Sequence, residues 1–398
     1  MPFYTRVGAV PPKRHTQFRR PDGVLYTEEL LGNEGFSGLA SLLYHHHPPV
    51  RVAAMKPCPP PMELEEWREP VQRHYHLRTL AAEPGGDPIT GRRPLMFNDD
   101  VVLAIVRPTA PMADYYYKNG EADELFFIHE GQGTFETMYG ALDYRAGDYI
   151  VIPHGTIYRV VMGDAAQRWL LVESRGRIET PHRYRNEFGQ LLEHSPYCER
   201  DIRRPSAPLT ILDEGTVEVR IKAGGRYSAY QYDHHPFDVV GWDGYLFPWA
   251  LSIHDFEPIT GRVHQPPPVH QMFQARNFVV CSFVPRKYDY HPLSIPAPYN
   301  HSNIDSEEVL YYVNGNFMSR RGIDIASFTL HPHGIPHGPH PGTAEASIGK
   351  EGSDELAVMV DTFRPLKMTQ WARGYDDPAY PFSWLDAPNA KTDADSAR

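Results

Sequence analysis

The stretch YKNGEADELFFIHEG, residues 117–131, recurs in altered form as HSNIDSEEVLYYVNG, residues 301–315. In both copies a glutamate begins an apolar run that a glycine ends, which gives the pattern E-x6-G. A run of this length with a glycine behind it is typical of a buried strand followed by a turn. Three positions align at one constant offset: Asn119 with Asn303, Glu124 with Glu308, and Gly131 with Gly315.

A second pair of segments follows the first pair in the same order. IPHGTIY (152–158) aligns with HPHGIPH (331–337), so each copy also contains P-x-G-x2-Y or P-x-G-x2-H. A five-residue difference in the connecting hairpin accounts for the change in offset. An ordered repeat of two motifs predicts two related β-units in one chain.

The rest of the chain also favours β-structure. The 39 prolines are spread along the sequence, which rules out long helices and suits short strands joined by loops. PLKMTQWARGY near the end is the one segment with a helical pattern. We therefore predict an all-β fold. The predicted strands are DELFFIHEG, GDYIVIP, RWLLVES, NFVVCSFVP, EVLYYVNG and LAVMVDTF.

The predicted organisation is a β domain over 1–250, with a degenerate unit at about 95–180, then a second unit over 251–385 and a disordered tail over 386–398. With 398 residues, 41% of them apolar, the chain can fill two cores. The sequence contains no long apolar segment, no secretory signal and no paired cysteine spacing. We therefore expect a cytoplasmic protein.

Charge restricts the partners. The formal net charge of −11, without a run of Lys or Arg, argues against nucleic acid and against an anionic membrane.

The two repeated motifs resemble those of the cupin superfamily, which are small double-stranded β-helices of the jelly-roll type. In that family the first motif supplies a histidine and a glutamate and the second supplies another histidine. The resemblance implies that His301, Glu308 and His337 bind a metal ion. Two imidazoles and one carboxylate form the facial triad that holds non-haem Fe(II). Glu307 is the alternative to Glu308, but the E-x6-G register favours Glu308.

The corresponding positions of the first unit are Tyr117, Glu124 and Tyr158. Phenols ionise only near pH 10, so they are poor ligands for a divalent metal at neutral pH. The first unit is therefore predicted to be structural.

Much of the chain resembles homogentisate 1,2-dioxygenase, a two-unit cupin enzyme of tyrosine and phenylalanine breakdown. The resemblance is patchy, but it runs nearly the full length in a conserved order. The segments that carry it are LYTEELLGNEGFSG…SLLYHHHPP, HHPFDVVGWDGYLFPWALSI, NFVVCSFVPRK, PYNHSN, LHPHGIPHGP and LAVMVDTFRPLKMTQWA.

This resemblance implies an Fe(II)-dependent enzyme that uses O2 to open the ring of homogentisate to maleylacetoacetate. His264 falls on the family's catalytic base, with His270 as the nearby competitor. His337 and His331 fall on or beside the substrate, or His331 supports the metal ligands. Phe317 stands where the family has a substrate-binding tyrosine, which leaves other hydroquinones or hydroxylated aromatic acids open.

Three alternatives have different signatures. A gentisate-type dioxygenase uses three histidines, and Glu308 speaks against it. A non-enzymatic bicupin normally lacks metal ligands in both units, and a cupin isomerase would share the triad with manganese or zinc. The family also forms trimers and hexamers, so a homo-oligomer is expected. YHHHPP (44–49), His333 and His340 are interpreted as loop residues.

Overall fold

The computed structural model describes residues 3–32, 38–69, 71–78, 85–315, 317 and 322–385, so the predicted tail lies outside the described residues. These residues form 27 strands and few short helices, and the fold is a two-unit, all-β cupin. The predicted fold class is confirmed. None of the helices in the described ranges has the length and apolar composition needed to span a bilayer.

The first unit is a sandwich of two large sheets whose neighbouring strands run antiparallel, except for the parallel pair β9 and β16. In spatial order, the eight-stranded sheet contains β19 (Trp249–Ser252), β13 (Asp148–Ile152), β10 (Asp123–Glu130), β15 (Arg168–Ser174), β8 (Val101–Val106), β7 (Arg92–Phe97), β27 (Lys367–Thr369) and β5 (Glu66–Trp67). The seven-stranded sheet contains β12 (Gly140–Arg145), β11 (Gln132–Thr137), β14 (Ile157–Met162), β9 (Tyr116–Asn119), β16 (Glu214–Ala223), β17 (Arg226–His234) and β4 (Val52–Cys58).

The second unit is built on a six-stranded sheet. Its spatial order is β20 (Gln271–Ala275), β21 (Phe278–Phe283), β26 (Leu356–Thr362), β23 (Glu307–Asn314), β24 (Phe328–His331) and β6 (Tyr75–Leu77). Beside it lies a two-stranded ribbon of β22 (Arg286–Lys287) and β25 (Gly352–Ser353). A four-stranded sheet near the chain start contains β1 (Thr5–Gly8), β18 (Val239–Gly244), β3 (Ala40–His45) and β2 (Thr27–Gly32).

Helical structure is limited to a few short pieces. The described residues contain α1 (Thr343–Ser347), α2 (Gln370–Arg373) and the 3-10 turns His182–Tyr184, Glu199–Asp201, Ile253–Asp255 and Tyr380–Phe382. The helix predicted at PLKMTQWARGY is therefore reduced to one turn. Its first part forms β27, which pairs with β7, because that pairing buries Met368.

All six predicted strands are present, as β10, β13, β15, β21, β23 and β26. The interpretation of YHHHPP as a solvated loop is wrong for its first two residues. Tyr44 and His45 end β3 and are 2% and 3% exposed. His45 stays buried because Asp238 and Glu29 accept from its two ring nitrogens, and together they raise the pKa of His45 to about 9 against the effect of burial.

The glycines of the repeated motifs are required by backbone geometry. Gly131 and Gly315 have φ of +104° and +98°, and Gly155 and Gly334 have φ of +86° and +73°. These are left-handed conformations that residues with a Cβ rarely adopt. A Cβ on Gly315 would also lie 2.3 Å from the Asp354 carbonyl oxygen. The motif therefore recurs because both units make the same turns.

Two strands connect the units by crossing between them. β6, from the first part of the chain, pairs with β24 at the edge of the second unit's sheet. β27, from the last part, pairs with β7 and β5 in the first unit. One continuous apolar core contains residues of both units, including Phe127 and Tyr311, whose rings lie 6.4 Å apart. The second unit therefore folds against the first.

A buried ion cluster fills the centre of the first unit. Glu124 is fully buried, and its two carboxylate oxygens accept from Arg92, at 2.6 Å, and from the hydroxyl of Tyr158, at 2.6 Å. Arg92 also donates to Glu173, which pairs with Lys222. Glu124 and Tyr158 align with Glu308 and His337, so the Arg92 guanidinium supplies positive charge where the second unit has its candidate ligands.

We expect Arg92→Leu to lower the free energy of unfolding by about 3–5 kcal/mol, because Glu124 would lose its cation while still buried. Urea unfolding followed by tryptophan fluorescence measures the loss. Arg93→Leu is the matched control, since Arg93 is partly exposed and donates to backbone carbonyls alone in the described structure. Its cost is expected to stay within about 0.5 kcal/mol. Equal losses in the two variants would contradict the charge argument.

Candidate metal centre

Three side chains of the second unit converge on one point. Ligand atoms of His301, Glu308 and His337 lie within 4.8 Å of one another. Oε2 of Glu308 is 3.7 Å from Nε2 of His301 and 3.6 Å from Nε2 of His337. These separations are too long for hydrogen bonds, and they leave room for an ion between the atoms. The structure thus brings together the three residues singled out from the repeat.

Backbone pairing holds the two histidines side by side. His301 and His337 lie outside the named strands, but their N–H and C=O groups exchange two hydrogen bonds of 2.8 Å in an isolated bridge. Their ring centroids are 4.3 Å apart. Glu308 faces them from β23, which is hydrogen-bonded on both sides to β24 and β26. The ligand set therefore depends on main-chain pairing between residues that are 36 positions apart.

Hydrogen bonds fix the tautomer of both imidazoles. Nδ1 of His301 lies 3.2 Å from the carbonyl of Tyr299, and Nδ1 of His337 lies 3.2 Å from the carbonyl of Ile335. Because a carbonyl only accepts, Nδ1 carries a proton in each ring, so in the neutral imidazole the lone pair is on Nε2. Such a support is usual for metal-bound histidine.

One buried nitrogen of the ligand cluster lacks a hydrogen-bond partner. Nε2 of His337 is inaccessible to solvent and has no hydrogen-bond partner among the described residues. Buried polar atoms are rarely left unpaired. A divalent cation bound by His301, Glu308 and His337 would satisfy this lone pair, so the donor set fits a metal ion.

His331 supports the carboxylate ligand. It is completely buried; its Nδ1 lies 2.8 Å from Oε1 of Glu308, and its Nε2 lies 2.9 Å from the hydroxyl of Tyr380. Burial alone would raise the pKa of Glu308, but the imidazoles of His301, His331 and His337 lower it well below its usual range. Glu308 is therefore ionised and ready to bind a cation.

Glu307 is committed elsewhere. Its Oε1 lies 2.7 Å from Nδ1 of His333, and its Oε2 accepts from the backbone N–H of Leu366 at 2.7 Å. Neighbouring residues of a strand point to opposite faces, so Glu307 cannot share the site of Glu308. His340, interpreted above as a loop residue, is 1% exposed and stacks on Trp384 at 4.8 Å.

A cavity of about 160 Å³ opens onto the ligands. Its wall includes His301 and Glu308, and also His264, Arg286 and Asp289. Larger cavities occur elsewhere, but among the described residues the metal-ligand cluster lies at this one. The cavity is a small space beside His301 and Glu308.

Comparison with known proteins gives the family. The model of the homogentisate 1,2-dioxygenase N-terminal region matches residues 89–253. A protein of Saccharolobus solfataricus named "Putative dioxygenase" is 43% identical over 387 residues, covering 96% of this chain and 99% of that protein. The chain belongs to the homogentisate 1,2-dioxygenase family. It is a short, divergent member of this family of dioxygenases.

More distant relatives carry the family name itself. The homogentisate 1,2-dioxygenase of Rhodopseudomonas palustris strain BisA53 is 27% identical over 297 residues, which are 69% of this chain but 64% of that enzyme. The chain thus spans a little under two thirds of that relative. The enzyme of strain BisB18 is 26% identical over 398 residues, covering 91% of this chain and 86% of the enzyme.

Two of the solved structures that match the chain do so over much of its length, at low TM-scores. One, from Nostoc punctiforme and titled "putative dioxygenase", has a TM-score of 0.34 and 14% identity, covering 73% of this chain and 83% of its own. A cupin 2 conserved barrel domain protein from Leptotrichia buccalis has a TM-score of 0.31 and 7% identity, covering 69% and 88%.

The family resemblance implies His264 as the catalytic base and His270 as its competitor. His264 and His270 both line the cavity, with ring centroids 5.6 Å apart. Burial, Arg286 and His264 lower the pKa of His270 to about 3, so His270 is a weak base. His264 keeps a third of its side chain exposed and lies near Asp289, which offsets part of the fall that burial causes in its pKa. Burial and the neighbouring charges therefore favour His264 over His270 as a base.

Phe317 does not reach the cavity in the described structure. It is 7% exposed and packs against Tyr312 at 4.7 Å, in a cluster with Leu310 and Ala357. Leu310 itself lines the cavity, so Phe317 supports the wall from behind. His331 likewise lies behind Glu308. Its place fits support of the ligands, which was one of its two predicted roles.

Sequence reasoning missed Arg286, Asp289 and Asp361. Asp361 is the partner of Glu308 across β26, and burial together with Glu308 raises its pKa well above the usual range. None of the three lies in the repeated motifs, so no signal singled them out. Asp361 lies near Glu308 because β26 pairs with β23, and Arg286 and Asp289 line the cavity.

We expect Glu308→Gln to abolish metal binding, because the charged ligand is lost, whereas Glu307→Gln should keep it. The assay is the metal content of desalted protein after anaerobic loading with Fe(II). Glu307→Gln serves as the matched control, since it changes the same group at the adjacent position. The reverse pattern would show that the ligand register is wrong.

Loss of the support behind Glu308 should weaken metal binding without abolishing it. For His331→Gln we expect affinity to fall about 10–100-fold, the usual effect of removing an outer-shell partner. Competition with a chelating dye measures the affinity. Tyr380→Phe removes the hydroxyl beyond His331 and should have the smaller effect. An unchanged affinity in His331→Gln would refute the positioning role.

Proposed function

We propose that the chain is an Fe(II)-dependent, ring-cleaving dioxygenase that converts homogentisate to maleylacetoacetate with O2, as in tyrosine and phenylalanine degradation. The observation that carries the proposal is the donor set. His301, Glu308 and His337 offer two imidazole lone pairs and one ionised carboxylate beside a small cavity. This is the ligand set of non-haem Fe(II) oxygenases.

Bound at these residues, ferrous ion would supply open coordination positions and a path for electrons between an aromatic ring and dioxygen. The chain supplies the rest. The backbone acceptors of His301 and His337 place the proton of the neutral imidazole on Nδ1, so Nε2 is the atom that can bind the ion, and His331 keeps Glu308 in place.

The cavity wall suits an acidic aromatic substrate. A dihydroxylated ring must lose a phenolic proton, and His264 is the imidazole placed to accept it. Arg286 is the one permanently cationic side chain among the described residues of the wall, and it can attract a carboxylate. Pro296, Pro298 and Met359 provide apolar surface for a ring.

Oxygen uptake distinguishes the possible substrates. Anaerobically Fe(II)-loaded protein is given homogentisate, gentisate or hydroquinone separately. We expect rapid uptake with homogentisate, at one O2 per substrate, and slower uptake with hydroquinone, which lacks the carboxylate. Glu308→Gln, which cannot hold the ion, is the control for uptake that does not depend on the site.

Uptake with gentisate or hydroquinone alone would support the iron site but show that homogentisate is not the substrate. Phe317, which lacks a phenolic hydroxyl, would agree with that result. No uptake with any of the three, from protein shown to contain iron, would refute ring cleavage of these substrates.

A further inference from the structure

Asp289 is an acidic residue of the cavity wall that is not a candidate metal ligand. The side chain of Asp289 is 9% exposed, and its Oδ2 lies 3.5 Å from Nδ1 of His264. Its Oδ1 is buried and has no hydrogen-bond partner among the described residues. A buried carboxylate with an unused oxygen is costly unless a donor or a positive charge comes to it.

The backbone around Asp289 is fixed. The carbonyl of Asp289 accepts from the hydroxyl of Ser294 at 2.8 Å, and the N–H of the preceding residue, Tyr288, donates to the carbonyl of Glu351 at 2.9 Å. The ribbon of β22 and β25 lies immediately before it. The carboxylate is therefore held at the cavity wall by main-chain contacts.

We propose that Asp289 is the positioning residue of a His264–Asp289 dyad, in which it fixes the tautomer of the base and stabilises its protonated form. This inference rests on the proposed function. With the proton of neutral His264 on Nδ1, beside Asp289, the lone pair is on Nε2. The phenolic O–H bond of the substrate breaks, the proton forms an N–H bond with Nε2, and the electron pair stays on the phenolic oxygen.

The distance of 3.5 Å is that of a dyad at rest. Hydrogen bonds of catalytic groups are often long in the free enzyme and shorten when substrate binds. A positive charge on His264 would strengthen its attraction to the carboxylate of Asp289, whose side chain is 9% exposed. Asp289 would therefore act most strongly when His264 holds the proton.

Four groups face His264, and they act in different directions. Burial lowers the pKa of His264, Asp289 raises it and Arg286 lowers it. The rings of His270 and Tyr299 lie 5.6 and 6.5 Å away. Replacing Asp289 by a neutral residue should lower the pKa of His264, whereas replacing Arg286 by a neutral residue should raise it.

The first test needs no turnover. The imidazole signals of metal-free protein are titrated by NMR, and the signal of His264 is identified by its loss in His264→Gln. We expect Asp289→Asn to lower the pKa of His264 by about 1 unit. Arg286→Gln is the matched control and should shift it the opposite way. An unchanged pKa of His264 in Asp289→Asn overturns the dyad.

The second test is a double-mutant cycle on the Fe(II)-loaded enzyme. Asp289→Asn should lower kcat by about 10–100-fold at unchanged iron content, and the acid limb of kcat/KM should move to lower pH with the pKa of His264. Asp289→Glu should restore part of the rate. In the His264→Gln background, Asp289→Asn should cost nothing further, because it acts through that residue.

Additive losses in the cycle would overturn the positioning role. The two hypotheses also fail separately. Suppose that Asp289→Asn lowers the pKa of His264 but the wild-type enzyme consumes no oxygen. That result overturns the proposed function and the role of His264 as a base, and it leaves the contact between His264 and Asp289 supported. Oxygen uptake without a pKa shift overturns the dyad and leaves the proposed function.

Discussion

Each unit of this chain buries a glutamate at the same strand position, and a buried carboxylate must be given positive charge. In the first unit a side chain of the protein carries this positive charge. Arg92 donates to Glu124 at 2.6 Å, and the cluster is closed by Tyr158. In the second unit, Glu308 is surrounded by His301, His331 and His337 instead. Imidazoles have no permanent charge, so Glu308 can still bind a metal ion. Glu124 cannot, because Arg92 already neutralises it.

The candidate metal centre depends on the whole chain, because neither unit is complete alone. The sheet that contains Glu308 is closed at its edge by β6, which comes from the first part of the sequence. The support behind His331 ends at Tyr380, far beyond the second motif. Exchange of β6 and β27 gives the two units one shared core. A mutation in the first unit can therefore weaken the site without touching it.

Different residues in and around the cavity are suited to binding a metal ion and to accepting a proton. The cluster of His301, Glu308 and His337, of which His301 and Glu308 line the cavity, offers lone pairs and negative charge suited to a cation. His264 and Asp289 are suited to taking up a proton, and His270 stays neutral beside them because burial lowers its pKa to about 3. Separate groups for the metal and for the proton allow both to act on one ring at the same time.

The sequence by itself determined the two β-units, the turns at Gly131 and Gly315, and the three candidate ligands. The units and turns follow from local rules, namely strand patterns and the left-handed φ that glycine tolerates. The candidate ligands follow from the resemblance of the repeated motifs to those of the cupin superfamily. Only the tertiary structure decided that Arg92 stands beside Glu124, that Asp289 faces His264, and that His45 is buried. These contacts join charged or polar residues that are distant in sequence, so no local pattern specifies them.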